Sequence, residues 1–276
     1  MRTFQDGAAA RDFPKVKSAM ASVAFATMHN MAVSFKQHFP PASASDPFWE
    51  AYAHNSPIPF EKLTFLSIKE KDGKAFLLYA YAYAWPSRPD KTQKGFLKAD
   101  FIRQKDAWKL LGAGLQVNDS LTAKYEAGDR SFLDDPQLAQ FADTPAMPPE
   151  ATPADYIGQI QWYNPKGKLV VTVNGIPNEL TSMSGFQIIV GGLKKGENKI
   201  LFHYDPDAKT AGQIAHGPES DLPKVRLHVF TGEKLTRDAD RQLLLYHWSA
   251  DTADHEETVR LDDQTLAGLP KPEMDY

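Results

Sequence analysis

Residues 79–85 read YAYAYAW, with an aromatic side chain at every odd position and alanine at every even one. A period of two belongs to a β-strand, whose successive side chains point to opposite faces of a sheet. One face therefore carries Tyr79, Tyr81, Tyr83 and Trp85, and the other Ala80, Ala82 and Ala84. Working outward, 63–69 and 75–85 read as a hairpin through the turn Glu70-Lys71-Asp72-Gly73-Lys74, and 95–104 and 108–112 follow the polar loop PSRPDKTQK. The four strands predict a curved antiparallel sheet. Upstream, Val16, Met20, Val23 with Ala24, Met28, Met31 and Phe35 recur at steps of three and four, one apolar helical face of about five turns. Pro40-Pro41 stops that helix, and Asp46-Pro47 supplies a cap and a first-turn proline for a short helix, FWEAYAH. Helices followed by a meander make residues 1–118 an α+β unit.

Residues 119–154 turn acidic and proline-rich, ending TPAMPPEATPAD, and predict a semi-rigid linker. Residues 155–276 read as strand and turn throughout: IGQIQWYN, KLVVTV and IPNEL about an Asn174-Gly175 hairpin turn, then GFQIIVGGL, KILFHYD, PKVRLHVF and QLLLYHWSA. Short strands at regular spacing predict an all-β sandwich of immunoglobulin or jelly-roll type.

Composition bounds the chemistry. At 42% hydrophobic and 24% charged, the 276 residues can bury a sizeable core. The net charge of −4 is too small to argue for a nucleic-acid partner, and none is expected, but residues 1–118 balance to +6 and 119–276 to −10, which suggests two separately folded units. With no cysteine, disulfides, thiolate metal sites and cysteine nucleophiles are excluded. The uncharged stretch 18–35 is interrupted by Ser, Thr, His and Asn, so it reads as a buried helix rather than a signal peptide or membrane span. A thiol-free chain suits the periplasm or secretion, which implies a signal already removed; a cytoplasmic location stays open. The phosphate-loop, dinucleotide, zincin and nucleophile-elbow motifs do not occur.

The element order of residues 8–118, with the N-terminal helix, FWEAYAH and the closing GFLKADFIRQKDAWKLLG, resembles the cystatin-like cone shared by nuclear transport factor 2, ketosteroid isomerase, scytalone dehydratase and polyketide cyclase-like proteins. The stretch LKKGENKILFHY resembles the G-x-N turn of bacterial immunoglobulin-like sandwiches. The first resemblance implies a sheet wrapped around a long helix, with a conical pocket open at one end. Enzymes of that family place an Asp/His or Asp/Tyr pair in the pocket, and no such pair can be matched here residue by residue.

Tyr79, Tyr81, Tyr83 and Trp85 are the candidate ligand-binding residues, with cross-strand packing or an interface as the alternative. The alanine face admits close approach, with the long helix as the expected neighbour. His29, on the flank of that helix, is the candidate general base of an enzyme reading, with Tyr81 beside it and Glu50 or Asp100 as carboxylate partners. His38 and His54 are further histidines near the helices. His203, His228 and His247 lie on strands of the second unit; His228 shares a face with Arg226 that reads as the solvent side, so no metal is expected. The acidic stretches at Asp205-Pro206-Asp207 and at Asp251, Asp254, Glu256 and Glu257 read as solvated loops, and no cofactor is implied.

The expectation is a non-enzymatic binding protein of a bacterial envelope or secreted context, holding a small apolar or protein ligand in the cone or at the domain junction. A cone-fold enzyme of proton-transfer chemistry is the alternative. Carbohydrate binding through Trp162, Tyr163 or Trp248 is a third reading, and the aromatic row also suits a homodimer through the N-terminal sheet.

Overall fold

The structure, a computed structural model, describes residues 1–46, 48–49, 58, 60–84, 90–164, 167–180, 184–208, 223–231, 242–249 and 254–270. Among the described residues it is α+β, with short helices and three four-stranded antiparallel sheets. The chain divides into two compact units, one of residues 1–27 and 40–148, the other of residues 28–39 and 149–276.

In the first unit, α1 (Arg2–Ala9), α2 (Phe13–Ala19) and the start of α3 (Ser22–Ser34) precede β1 (Leu63–Lys71), β2 (Lys74–Ala84), β3 (Thr92–Gln104) and β4 (Ala107–Gln116), which lie in the order β1-β2-β3-β4. The expected single helix is two. Asp12 caps α2 by accepting from Lys15 N, but Met20 takes an extended conformation (φ −92°, ψ 150°) and bridges Leu110. Ala21 N donates to Leu110 O at 2.8 Å, so the edge of β4 captures backbone that periodicity alone assigns to a helix. Ala21 and Val23 then pack on Ile102. The β1–β2 turn carries Asp72 and Gly73 at φ +50° and +72°, the two left-handed residues a tight hairpin requires. Asp46 Oδ1 accepts from Phe48 N at 2.9 Å as the predicted cap, while Glu50, His54 and Trp85 lie outside the described residues.

Much of the expected linker is structured. α4 (Asp119–Glu126), a 3-10 turn (Arg130–Asp134) and the single turn α5 (Pro136–Ala139) follow β4. Leu121, Phe132 and Leu138 are buried with Phe76, Leu78, Ala80 and Phe96 of the sheet. Three lysines of the same sheet face tie the segment down: Lys69 Nζ donates to Leu133 O (3.2 Å), Lys74 Nζ to Ala142 O (3.1 Å), and Lys98 Nζ to Gln140 O. Phe96 stacks on Phe132 at 5.3 Å. An acidic, proline-rich composition hid an aromatic anchor and the backbone carbonyls on which basic strands close.

The second unit is two sheets, ordered β11-β10-β5-β8 and β12-β9-β6-β7, from β5 (Ile157–Tyr163), β6 (Lys168–Val173), β7 (Ile176–Leu180), β8 (Ser184–Ile188), β9 (Gly196–Asp205), β10 (Lys224–Phe230), β11 (Gln242–Ser249) and β12 (Asp254–Leu261), with α6 (Asp263–Gly268) after them. Their inner faces share one core, including Ile160, Leu227 and Trp248 of the first sheet and Val171, Phe202 and Leu261 of the second. Asn174 and Gly175 form the expected hairpin turn at φ +50° and +83°. Asn198 of the G-x-N turn is fully buried and closes residues 194–198 in both directions: Lys194 N donates to its Oδ1 and its Nδ2 to Lys194 O, each at 2.8 Å. The acidic stretch expected as a loop contains β12, whose register against β9 runs from Asp254↔His203 to Leu261↔Gly196. Its inner positions include His255 and Glu257 beside Val259 and Leu261, so the period of two is masked by charge.

Residues 28–39 complete this unit. Asn30 Nδ2 donates to Pro149 O (2.8 Å) and its Oδ1 accepts from Ala151 N (2.9 Å), while Ser34 Oγ accepts from Gly191 N (2.7 Å). Val33 packs with Ala151 and Ile176.

Candidate functional site

The register of β2 against β3 pairs Tyr81 with Gly95, Ala80 with Phe96 and Ala82 with Lys94, which sets the tyrosines and alanines on opposite faces. Tyr79 and Tyr81 are buried, at 5% and 4% exposure, and Tyr83 is half-buried. Tyr79 meets Phe65 edge-on at 5.7 Å. Tyr81 lies across Gly95, where a side-chain carbon would stand 2.9 Å from its hydroxyl oxygen and 2.6 Å from Gln116 O; glycine is what lets the ring approach the strand. The Tyr81 hydroxyl has no hydrogen-bond partner among the described residues, and burial pushes both phenols above their ordinary pKa. Tyr79 and Tyr81 are thus packed side chains; burial of this depth leaves little of either ring open to a ligand.

The alanine face carries the opening. Thr64, Ala80, Tyr81, Ala82, Lys94 and Gly95 from the sheet, with Thr122, Tyr125 and Glu126 from α4, line a cleft of about 280 Å³. Alanine makes the room, because a larger residue at 80 or 82 would fill the gap that α4 spans. Tyr125 is a fixed wall, edge-on to Phe96 (6.1 Å) and to Phe132 (5.7 Å). Lys94 Nζ and Glu126 Oε1 pair at 2.5 Å with both side chains about half exposed, which places the pair at the cleft mouth. Thr122 Oγ1 donates to Asn118 O (2.9 Å), leaving its oxygen lone pairs directed elsewhere. Deeper on the same sheet face, Lys98 stands 3.3 Å from Asp100 Oδ1, an ion pair without hydrogen-bond geometry, and 4.9 Å from the centre of the Phe76 ring. Asp100 is therefore the partner of Lys98. The part of this site that sequence reasoning missed is α4, whose Asn118 cap at the start of DSLTAKYE was the available signal.

Among the described residues the histidines do not converge. His29 belongs to the second unit and Tyr81 to the first; His29 Nδ1 lies 3.1 Å from Asn30 Oδ1, with Phe39 edge-on at 5.0 Å. His38 is exposed. His203 pairs with Asp254 at 2.5 Å on one sheet, while His247 is exposed on the other. His228, expected at the solvent side, is 1% exposed. Its outer-face neighbours Ile157 and Phe230 are buried as well, so that end of the sheet is covered on both sides. Burial, with Arg226 nearby, lowers its pKa from 6.5 to about 4. Among the described residues no group of three or more His, Asp or Glu could hold a metal. Asp205 Oδ1 accepts from Asp207 N (3.0 Å) and Ala208 N (3.2 Å), so this carboxylate closes its own turn. Trp162 and Trp248 are core residues, the latter stacked on Phe202 at 4.8 Å, which removes them from any exposed sugar-binding platform. No helix among the described residues is long and apolar enough to cross a membrane.

No protein-family model matches the chain, and neither a curated protein nor a solved structure matches it.

Proposed function

We propose that the protein is a non-enzymatic binding protein of a bacterial envelope or secreted context, built of a cone-type α+β unit and an immunoglobulin-like sandwich, with its ligand in the cone-type unit. The observation that carries this reading is the cleft of about 280 Å³ under α4, with an alanine floor, an aromatic wall and one ion pair at the mouth. Small-molecule sites have this composition: a mostly apolar concavity with a few oriented polar groups. The two charged groups at the cleft are engaged with each other, and Tyr79 and Tyr81 of the opposite face are packed, so the features of the site serve holding rather than proton transfer. The absence of cysteine suits the extracytoplasmic context.

A homodimer through the same sheet is a second proposal, supported by Phe65 and Ile68 on edge strand β1, 55% and 58% exposed. The test is a thermal-shift screen of small ligands against the parent chain and Ala82→Trp, with solution mass measured on the same samples. Ala82 is exposed, so the indole fills the cleft without entering the core. Ligands should raise the melting temperature of the parent and not of the variant. Equal shifts in both would place binding elsewhere, and a monomeric mass would end the dimer proposal.

A further inference from the structure

The charges at the cleft mouth narrow the ligand class. We infer that the cleft takes a small zwitterion, an α-amino acid with an apolar side chain, whose carboxylate meets Lys94 and whose ammonium meets Glu126; this rests on the binding reading above. Lys94 and Glu126 pair at 2.5 Å while both remain about half exposed, and an exposed pair contributes little, so separating it costs little. What replaces it decides the ligand. A neutral apolar molecule leaves the pair closed across the mouth. A molecule with one charge opens the pair and leaves either the ammonium or the carboxylate of the protein without its partner. A zwitterion exchanges one ion pair for two, each a charge-assisted hydrogen bond, and preserves neutrality.

Size and lining agree with this class. A volume of about 280 Å³ corresponds to roughly nine waters, room enough for a leucine-sized molecule. Behind the ion pair the surface is Ala80, Ala82 and the Tyr125 ring, which suit an aliphatic or aromatic side chain, and Thr64 and Thr122 border it. Tyr125 is held by Phe96 and Phe132, so this wall is formed before a ligand arrives, and binding orders little of the protein.

The experiment is calorimetric titration of the full chain with L-leucine, 4-methylpentanoate, which lacks the amine, and 3-methylbutylamine, which lacks the carboxylate. The parent should bind leucine at least tenfold tighter than either analogue. Lys94→Ala should erase the preference over the amine while keeping that over the acid, and Glu126→Ala should do the reverse; both sites are on the surface and away from the core. Equal binding of all three compounds would overturn the zwitterion and leave an apolar-ligand cleft. Failure of leucine, with another ligand found by the screen and blocked in Ala82→Trp, would overturn this inference alone. A screen with no ligand blocked by Ala82→Trp would overturn both readings.

Discussion

At the scale of single residues, burial decides roles that the side-chain type leaves open. His228 carries an ordinary imidazole, but it is 1% exposed and its Nδ1 has no partner among the described residues, while Nε2 is 3.3 Å from Gln161 Oε1. Desolvation and Arg226 hold it neutral down to about pH 4, whereas in the unfolded chain it titrates near 6.5. Between those values the unfolded chain takes up a proton that the folded chain refuses. Stability therefore falls as pH drops from about 6.5 to about 4, and this contribution levels off below the lower value. Denaturant titrations near pH 7 and at about pH 4.5 should show the parent losing about 2–3 kcal/mol more than His228→Gln. Parallel losses would mean that the imidazole is accessible. The face on which it sits reads as polar in PKVRLHVF, because Arg226 and His228 alternate there with apolar residues, and local pattern does not report burial.

At the scale of elements, the segment after β4 is the clearest departure from the local pattern. Phe132 is fully buried and stacked on Phe96, and Leu121 and Leu138 flank it in the same cluster. Replacing Phe132 with alanine should cost about 3–5 kcal/mol, as for a large core aromatic, read from the denaturant midpoint of the full chain. A true linker would make the substitution nearly neutral. The strands themselves were legible: the alternation of YAYAYAW, the Asn-Gly turn and the G-x-N turn each rest on neighbours a few residues away. The break at Met20 was not, because its cause is the edge of β4, some ninety residues distant. β12 was hidden for a related reason, with the polar residues His255 and Glu257 at half of its inward positions.

At the scale of the whole molecule, the boundary between the units falls inside α3, between Thr27 and Met28. The second unit is therefore not a contiguous stretch of sequence. Asn30 and Ser34 satisfy backbone groups of Pro149, Ala151 and Gly191. Asn30→Ala leaves a buried donor and acceptor unmade and should cost about 2–3 kcal/mol. Hydrogen exchange resolved along the chain should show that loss at Ala151 and the strands from β5 onward, with β1 to β4 unchanged. A uniform loss across both units would show that they unfold as one.

What the sequence by itself determined is the identity of several strands, the tight turns between them, the helices-then-sheet order and the strand-rich second half, because hydrophobic period and turn chemistry act over a few residues. Only the tertiary structure decided which face of residues 79–84 is packed and which borders a cleft, that residues 119–141 belong to the first unit's core, and that residues 28–39 belong to the second. Those outcomes depend on which distant surface covers a given face. The alternation of tyrosine and alanine specified two faces and their difference in bulk; α4, reaching the alanine side, turned that difference into a site.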